Sequence, residues 1–133
     1  MQHDEQAIKT LNDIFVSGLL SKDPKKRASI WLDDGTLLPP NAGFLEGRAE
    51  IEKHFALEGA EITSHSKADL SNYRFDFLTP ELAFVDADLT LRDLLSPDQK
   101  RVPEVLVKVV FVAERRSGKW WIRNERAHFS ASS

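Results

Sequence analysis

Residues 118–129 read GKWWIRNERAHF, and the fold turns on which way this strand-like stretch faces. Successive side chains of a strand point to opposite sides of its sheet. One side therefore receives Trp120, Ile122, Asn124, Arg126 and His128, and the other Trp121, Arg123, Glu125, Ala127 and Phe129. The run before it, VPEVLVKVVFVAERR over 102–116, ends at Ser117-Gly118, a two-residue turn signal that joins the two runs as a hairpin. With Arg116 opposite Lys119, Ile122 falls across from Ala113, Asn124 from Phe111, Arg126 from Val109 and His128 from Val107. On the other side Glu114 and Arg123 become diagonal neighbours, as do Lys108 and Glu125, all within reach of cross-strand ion pairs. The side shared with Val107, Val109 and Phe111 is the apolar one, so Asn124, Arg126 and His128 are expected to point inward, with Trp121 and Phe129 outward.

The same reasoning sorts the hairpin upstream. A three-residue connection Thr79-Pro80-Glu81 pairs Phe77 with Ala83, Phe75 with Val85 and Tyr73 with Ala87, and leaves Arg74 opposite Asp86. A two-residue loop would set Phe75 against Asp86 and mix the faces, which a sheet with one buried side avoids. Tyr73, Phe75, Phe77, Val85, Ala87, Leu89 and Leu91 then share the concave side with Val105, Val107, Val109 and Phe111. Asp86 and Asp88 take the polar side.

Helices precede the strands. DEQAIKTLNDIFVSGLLSKD, residues 4–23, sets Ile8, Leu11, Phe15 and Leu19 at helical spacing with acids in the first turn. Asp23-Pro24 is an N-cap followed by proline at the first helical position, which predicts a short second helix over PKKRASIWL ending at Asp33-Asp34-Gly35. TLLPPNAGFLEG is irregular, and RAEIEKHFALEG makes a third helix that stops at Gly59. Helices first and strands afterwards describe one α+β domain over residues 1–133, with the helices on one face of a curved antiparallel sheet.

Composition narrows the partners. With 18 basic against 21 acidic residues and a net charge of -3, the chain has no cationic field to hold a phosphate backbone, so no nucleic acid is expected. The absence of cysteine removes disulfides, thiolate nucleophiles and cysteine-ligated zinc. No apolar run approaches the roughly 20 residues of a membrane span, and MQHDEQAIKTL is polar and acidic where a signal peptide is basic and then apolar; the expected location is cytoplasmic. His3, His54, His65 and His128 lack metal-ligand spacing, and no glycine-rich phosphate loop or GxSxG is present, so neither metal nor cofactor is expected.

Three stretches resemble the SnoaL-like branch of the nuclear transport factor 2-like superfamily: IWLDDGTLLPPNAGFLEGRAEIEKHF, RFDFLTPELAFVDADL and GKWWIRNER. The resemblance implies a cone-shaped α+β fold with a ligand pocket, and a homodimer through the convex sheet face, which Trp121 and Phe129 would help to bury. The scaffold hosts isomerases, cyclases and dehydratases as well as non-catalytic binding domains, so fold does not dictate reaction. Ketosteroid isomerases of this fold use a tyrosine, an aspartate and a second acid. The resemblance places Phe15 and Pro39 at the first two and a position near Val110 at the third, so that mechanism is not available here.

The pocket is accordingly expected to bind a mostly apolar small molecule bearing a carbonyl or carboxylate, with Phe15, Trp31, Phe55, Tyr73, Phe111 and Asn124 around it. Arg126 on an apolar face either pairs with a structural carboxylate or anchors an anionic or carbonyl ligand. The alternative is an enzyme in which His128 or His54 serves as the base and Arg126 stabilises an oxyanion.

Overall fold

The computed structural model describes residues 2–130. Helix α1 (Gln2–Leu20) buries Ile8, Leu11, Phe15 and Leu19, the stripe its spacing demands. At Asp23 the side chain accepts the Lys26 amide at 3.1 Å and Pro24 opens α2 (Pro24–Ala28). That helix is shorter than its sequence suggests. Trp31 and Leu32 instead open β1 (Trp31–Leu38), and Ile30, in the turn before it, accepts from the Ile122 amide at 2.8 Å; all three are buried at 4% exposure or less. After the irregular Pro39–Phe44 segment come β2 (Leu45–Glu46) and α3 (Arg48–Leu57), which runs on into a 3₁₀ turn over Glu58–Glu61. The remaining chain is β3 (Lys67–Thr79), β4 (Leu82–Leu95), β5 (Arg101–Arg116) and β6 (Lys119–Phe129). Before β3, the Thr63 and Ser66 hydroxyls turn back to donate to the Asp93 carbonyl.

One six-stranded sheet runs in the order β2-β1-β6-β5-β4-β3. It is antiparallel except between β1 and β6, which are parallel. The helices lie in its concave face, where Trp31, Phe15 and Phe55 meet with ring centroids 5.7–6.3 Å apart. The β4–β5 register is unbroken, and Val85, Ala87, Leu89, Val107, Val109 and Phe111 are buried on the expected side. In β3 the pairs Phe77–Ala83, Phe75–Val85 and Arg74–Asp86 form as read, and a shift beside Asn72, whose φ is 55°, then alters the register while Tyr73 stays against the core.

The β5–β6 hairpin departs from its sequence reading half-way along. Arg116 meets Lys119 and Ala113 meets Ile122 as expected, but Val112 then meets Asn124, so Arg123 is an extra residue in β6. A bulge of this kind reverses the alternation beyond it. Phe111 now faces Glu125, Val109 faces Ala127 and Val107 faces Phe129. Asn124, Arg126 and His128 are thereby carried to the convex side, contrary to the expectation from simple alternation, and Glu125, Ala127 and Phe129 turn inward. The Glu114–Arg123 pair survives at 2.6 Å, whereas Lys108 pairs with Asp88 at 2.7 Å instead of Glu125. Opposite the bulge, the β1–β6 register also shifts between Trp31 and Thr36. Gly35 sits in that gap so closely that a Cβ would come within 3.2 Å of the Arg123 carbonyl oxygen. No helix among the described residues is long and apolar enough to cross a membrane.

Gly18 sets the spacing of the first two helices: a Cβ there would lie 2.5 Å from the Arg27 nitrogen and 2.7 Å from its Cα. Backbone cannot yield as a flexible side chain does. Gly18→Ala is expected to lower stability by about 1–3 kcal/mol, more than the ~1 kcal/mol that alanine gains in a helix. Gly43→Ala, at a position open to solvent, should be close to neutral. Urea denaturation of both variants is the check, and an unchanged midpoint for Gly18→Ala would contradict the close approach.

Candidate functional site

Inside the cone, between α1, the α2–α3 layer and the concave faces of β4, β5 and β6, lies a cavity of about 240 Å³. Its sheet wall is aliphatic, made by Leu89, Leu91, Val105, Val107 and Val109, and Phe15, Leu19 and Phe55 close the helical side. Alternation along the two neighbouring strands β4 and β5 produces that wall. The polar groups come from the short helices, a turn and the last strand: Arg27 from α2, His54 from α3, Glu58 and Glu61 from the 3₁₀ turn, and Glu125 from β6 beyond the bulge.

Three groups, Arg27, His54 and Asn41, converge on the Glu58 carboxylate. Arg27 Nη2 lies 2.9 Å from Glu58 Oε1, with the two side chains only 12% and 19% exposed. The guanidinium is stacked over Phe55 at 3.8 Å and Phe15 at 4.9 Å, so its apolar faces are covered by rings. Asn41 donates to Glu58 Oε2 at 3.2 Å, and His54 Nε2 approaches the same oxygen at 3.3 Å without the alignment of a hydrogen bond. Burial draws the Arg27 guanidinium below its ordinary value against the opposing pull of Glu58. Its Nε is buried with no acceptor. Glu61 is pushed up by burial and then by the charge of Glu58.

Glu125 differs in kind. It is 8% exposed, lines the cavity, and receives no hydrogen bond or ion pair at its carboxyl from the described residues. Burial pushes its pKa up to about 8, with the Arg27 charge opposing. Near neutral pH this residue is therefore mostly a carboxylic acid, able to donate one hydrogen bond or to give up its proton.

Of the residues singled out in the sequence, the structure brings Phe15, Phe55 and His54 to the cavity. Trp31 stands behind Phe15 and Phe55, fully buried, with its indole N–H donating to the Thr36 carbonyl at 3.2 Å. Phe111 is core packing at 1% exposure. Tyr73 lies at the other end of the cone, stacked on Phe75 at 5.5 Å and accepting from Asn12 Nδ2 at 2.9 Å. Asn124 donates to Thr36 Oγ1 at 2.7 Å on the β1–β6 seam. Arg126 is exposed, its guanidinium 4.4 Å from the Phe44 ring, and His128 is exposed opposite Lys108. The bulge accounts for the last three. Phe15 and Pro39, placed by resemblance at catalytic positions, both line the cavity, while Val110 alternates away from it. Among the described residues no three His, Asp or Glu side chains are grouped to hold a metal ion.

A cone of one strongly curved sheet around N-terminal helices has known counterparts. A type 3 hexachlorocyclohexane dehydrochlorinase from Novosphingobium barchaimii LL02 matches with a TM-score of 0.83 at 17% identity, over 99% of this chain and 90% of that one. The chain has the cystatin-like, nuclear transport factor 2-like cone fold. A protein of unknown function with a cystatin-like fold from Nostoc punctiforme PCC 73102 gives 0.78 at 19% identity, covering 99% and 95% of the two chains. An uncharacterised protein of the same fold from Caulobacter vibrioides gives 0.81 at 19%, covering 96% and 89%. No family model and no curated protein matches the sequence. At these identities the likeness carries the fold alone.

The protonation of Glu125 has a sign that can be measured. Below the ordinary carboxylate range it is protonated in both the folded and the unfolded chain and contributes no pH dependence. As pH rises from there toward about 8, the unfolded chain releases the proton and the folded one keeps it, so stability falls by up to about 1.4 kcal/mol per pH unit. Glu125→Gln should lack that component. Its advantage over the parent in urea melts is expected to grow across this window and to level off above it; parallel curves would show that Glu125 is ionised in the folded state.

Proposed function

We propose that the cone cavity binds a mostly apolar small molecule, with its hydrocarbon body on the aliphatic sheet wall and one polar group at Glu125. The observation that carries this reading is a buried carboxyl with no protein partner, set in a hollow whose sheet wall is aliphatic. Such a group loses hydration on folding and regains a partner only from a ligand or water. The carboxylate ligand expected from an inward Arg126 loses its basis once that cation is outside. A carbonyl remains compatible, as the acceptor of the Glu125 O–H. A second reading, proton-transfer catalysis, is favoured by the titration of Glu125 near neutrality; His54 is the histidine available to it, since His128 and Arg126 lie outside the cavity.

The convex face supports a further proposal, a homodimer of the kind the resemblance implies. Phe84 and Leu106 are 39% and 49% exposed there among acids and bases such as Asp86, Asp88, Lys108 and Arg126. Phe129, expected to help, is on the cavity side. Sedimentation equilibrium at micromolar concentration decides the point, a monomer counting against it.

Occupancy of the cavity is tested by filling it. Ala127 points from β6 into the hollow, and Ala127→Trp should fold yet remove ligand binding. In a thermal-shift panel of apolar ketones, amines and acids, a ligand at about 100 times its Kd adds roughly 2.7 kcal/mol to the parent. Stabilisation of the parent by none of the panel, or equal stabilisation of Ala127→Trp, would place binding elsewhere.

A further inference from the structure

We propose that the ligand's polar group is a protonated amine held as an ion pair by Glu125, so that the cavity selects lipophilic amines over acids and ketones of the same length. This rests on the cavity being a binding site.

The charged groups around Glu125 decide the sign of its complement. From α2 comes Arg27, and from α3 and the 3₁₀ turn come His54, Glu58 and Glu61. Strands β4 and β5 contribute hydrocarbon alone, and β6 adds Ala127 and Phe129. The one guanidinium is committed: Arg27 binds Glu58 at 2.9 Å, and Asn41 and His54 turn to that same carboxylate. Glu58 thus accepts from Arg27 and Asn41, and its charge offsets that of Arg27. Glu125 is left as a carboxyl without a partner beside an aliphatic wall.

A carboxyl that is 8% exposed and without a donor can be completed in two ways. As the neutral acid it donates one hydrogen bond to a carbonyl, and its second oxygen remains unsatisfied. As the carboxylate it accepts from an ammonium, which brings up to three N–H donors and a charge-assisted bond about twice as strong as a neutral one. Low dielectric strengthens the second option. A carboxylate ligand would find no unpaired cation, since Arg27 already binds Glu58, and it would lack the ion pair that an ammonium makes with Glu125. The hydrocarbon wall takes the body of the amine.

Proton balance makes the inference measurable. Near pH 7 the empty site holds Glu125 mostly protonated and a simple alkylamine arrives as ammonium. Forming the ion pair keeps the proton on nitrogen and releases the Glu125 proton to solvent, so net charge is conserved with about one proton liberated per amine bound. A ketone liberates none.

The test is calorimetric titration of octylamine, octan-2-one and octanoate in two buffers of different ionisation enthalpy, with the parent protein, Glu125→Gln and Glu61→Gln. Expected are an octylamine affinity at least about tenfold above the other two, proton release with octylamine alone, loss of the preference in Glu125→Gln and its retention in Glu61→Gln. Should Glu125→Gln fail to fold, Glu125→Leu replaces it, since the apolar side chain matches the wall. If octan-2-one binds as well as or better than octylamine, the amine inference falls and the cavity reading stands. If the amine preference survives both Glu125 substitutions, or vanishes in Glu61→Gln, Glu125 is not its holder and the inference falls. Binding of none of the probes overturns both.

Discussion

The interior of this cone depends on one extra residue in its last strand. Up to Ile122, β6 alternates in step with β5 and places Trp120 and Ile122 in the core. Had the step continued, Asn124, Arg126 and His128 would have entered a cavity walled by Val107, Val109 and Phe111. Each would then have needed a buried partner, and for a guanidinium the penalty without one is several kcal/mol. Insertion of Arg123 avoids this, since it leaves the strand at the surface to pair with Glu114 at 2.6 Å while Ala127 and Phe129 continue the apolar face. The matching shift in β1 makes room for the bulge, and Gly35 lies close against it: a Cβ there would sit 3.2 Å from the Arg123 carbonyl oxygen, so its neighbours would have to give by a few tenths of an ångström. Glu125 is the remaining polar residue on the inner face, and it follows the bulge by two positions.

The other charges in the cavity are stable for a different reason. Arg27 and Glu58 sit on short elements joined to the cone by close packing, α2 through the Gly18 contact and the 3₁₀ turn as the continuation of α3. Ion pairs at this depth lose hydration that their attraction offsets only with good geometry and further bonds. Both are present: the bond at 2.9 Å, the Asn41 amide, and the faces of Phe55 and Phe15 against the guanidinium. The orphaned Arg27 Nε and the poorly aligned His54 Nε2 show where the network is incomplete. Incompleteness at both ends, beside an unpartnered Glu125, is the feature that separates this hollow from ordinary core.

Much of the architecture was legible from periodicity. Helix α1, the start of α2 at Asp23-Pro24, the helix beginning at Arg48, and the registers of Phe77–Ala83 and Arg116–Lys119 all follow from local rules and appear as read. What local rules missed was decided by pairing across the sheet. IWL continues a helical spacing, yet Trp31 and Leu32 become strand because β1 pairs along the far side of β6. A bulge carries no fixed residue signature, but a signal was present. The unbulged inner face reads Asn124, Arg126, His128, and the bulged one Glu125, Ala127, Phe129. Preference for the less polar face would have inserted the extra residue near Arg123, and with it would have found Glu125. Arg27 and Glu58 gave no comparable sign, since a basic residue in PKKRA and an acid at a helix end are the usual occupants of exposed turns.

A one-residue change of register thus does more than move side chains: it exchanges a fixed cation for a titratable acid on the cavity wall. With Arg126 inside, the complement would be an anion or a carbonyl oxygen, and with Glu125 inside it is a carbonyl oxygen for the protonated acid or a cation for the carboxylate. The same curved sheet surrounds either choice, so a shared fold leaves the polar lining of the cavity open. The wall of such a cone comes from simple alternation and tolerates exchange among aliphatic residues, whereas the sign and partner of its few polar groups come from bulges, helix ends and turns. Those irregular points are where the chemistry of this chain is written, and they are also where a polar residue can be brought into an apolar hollow without disturbing the strands that enclose it.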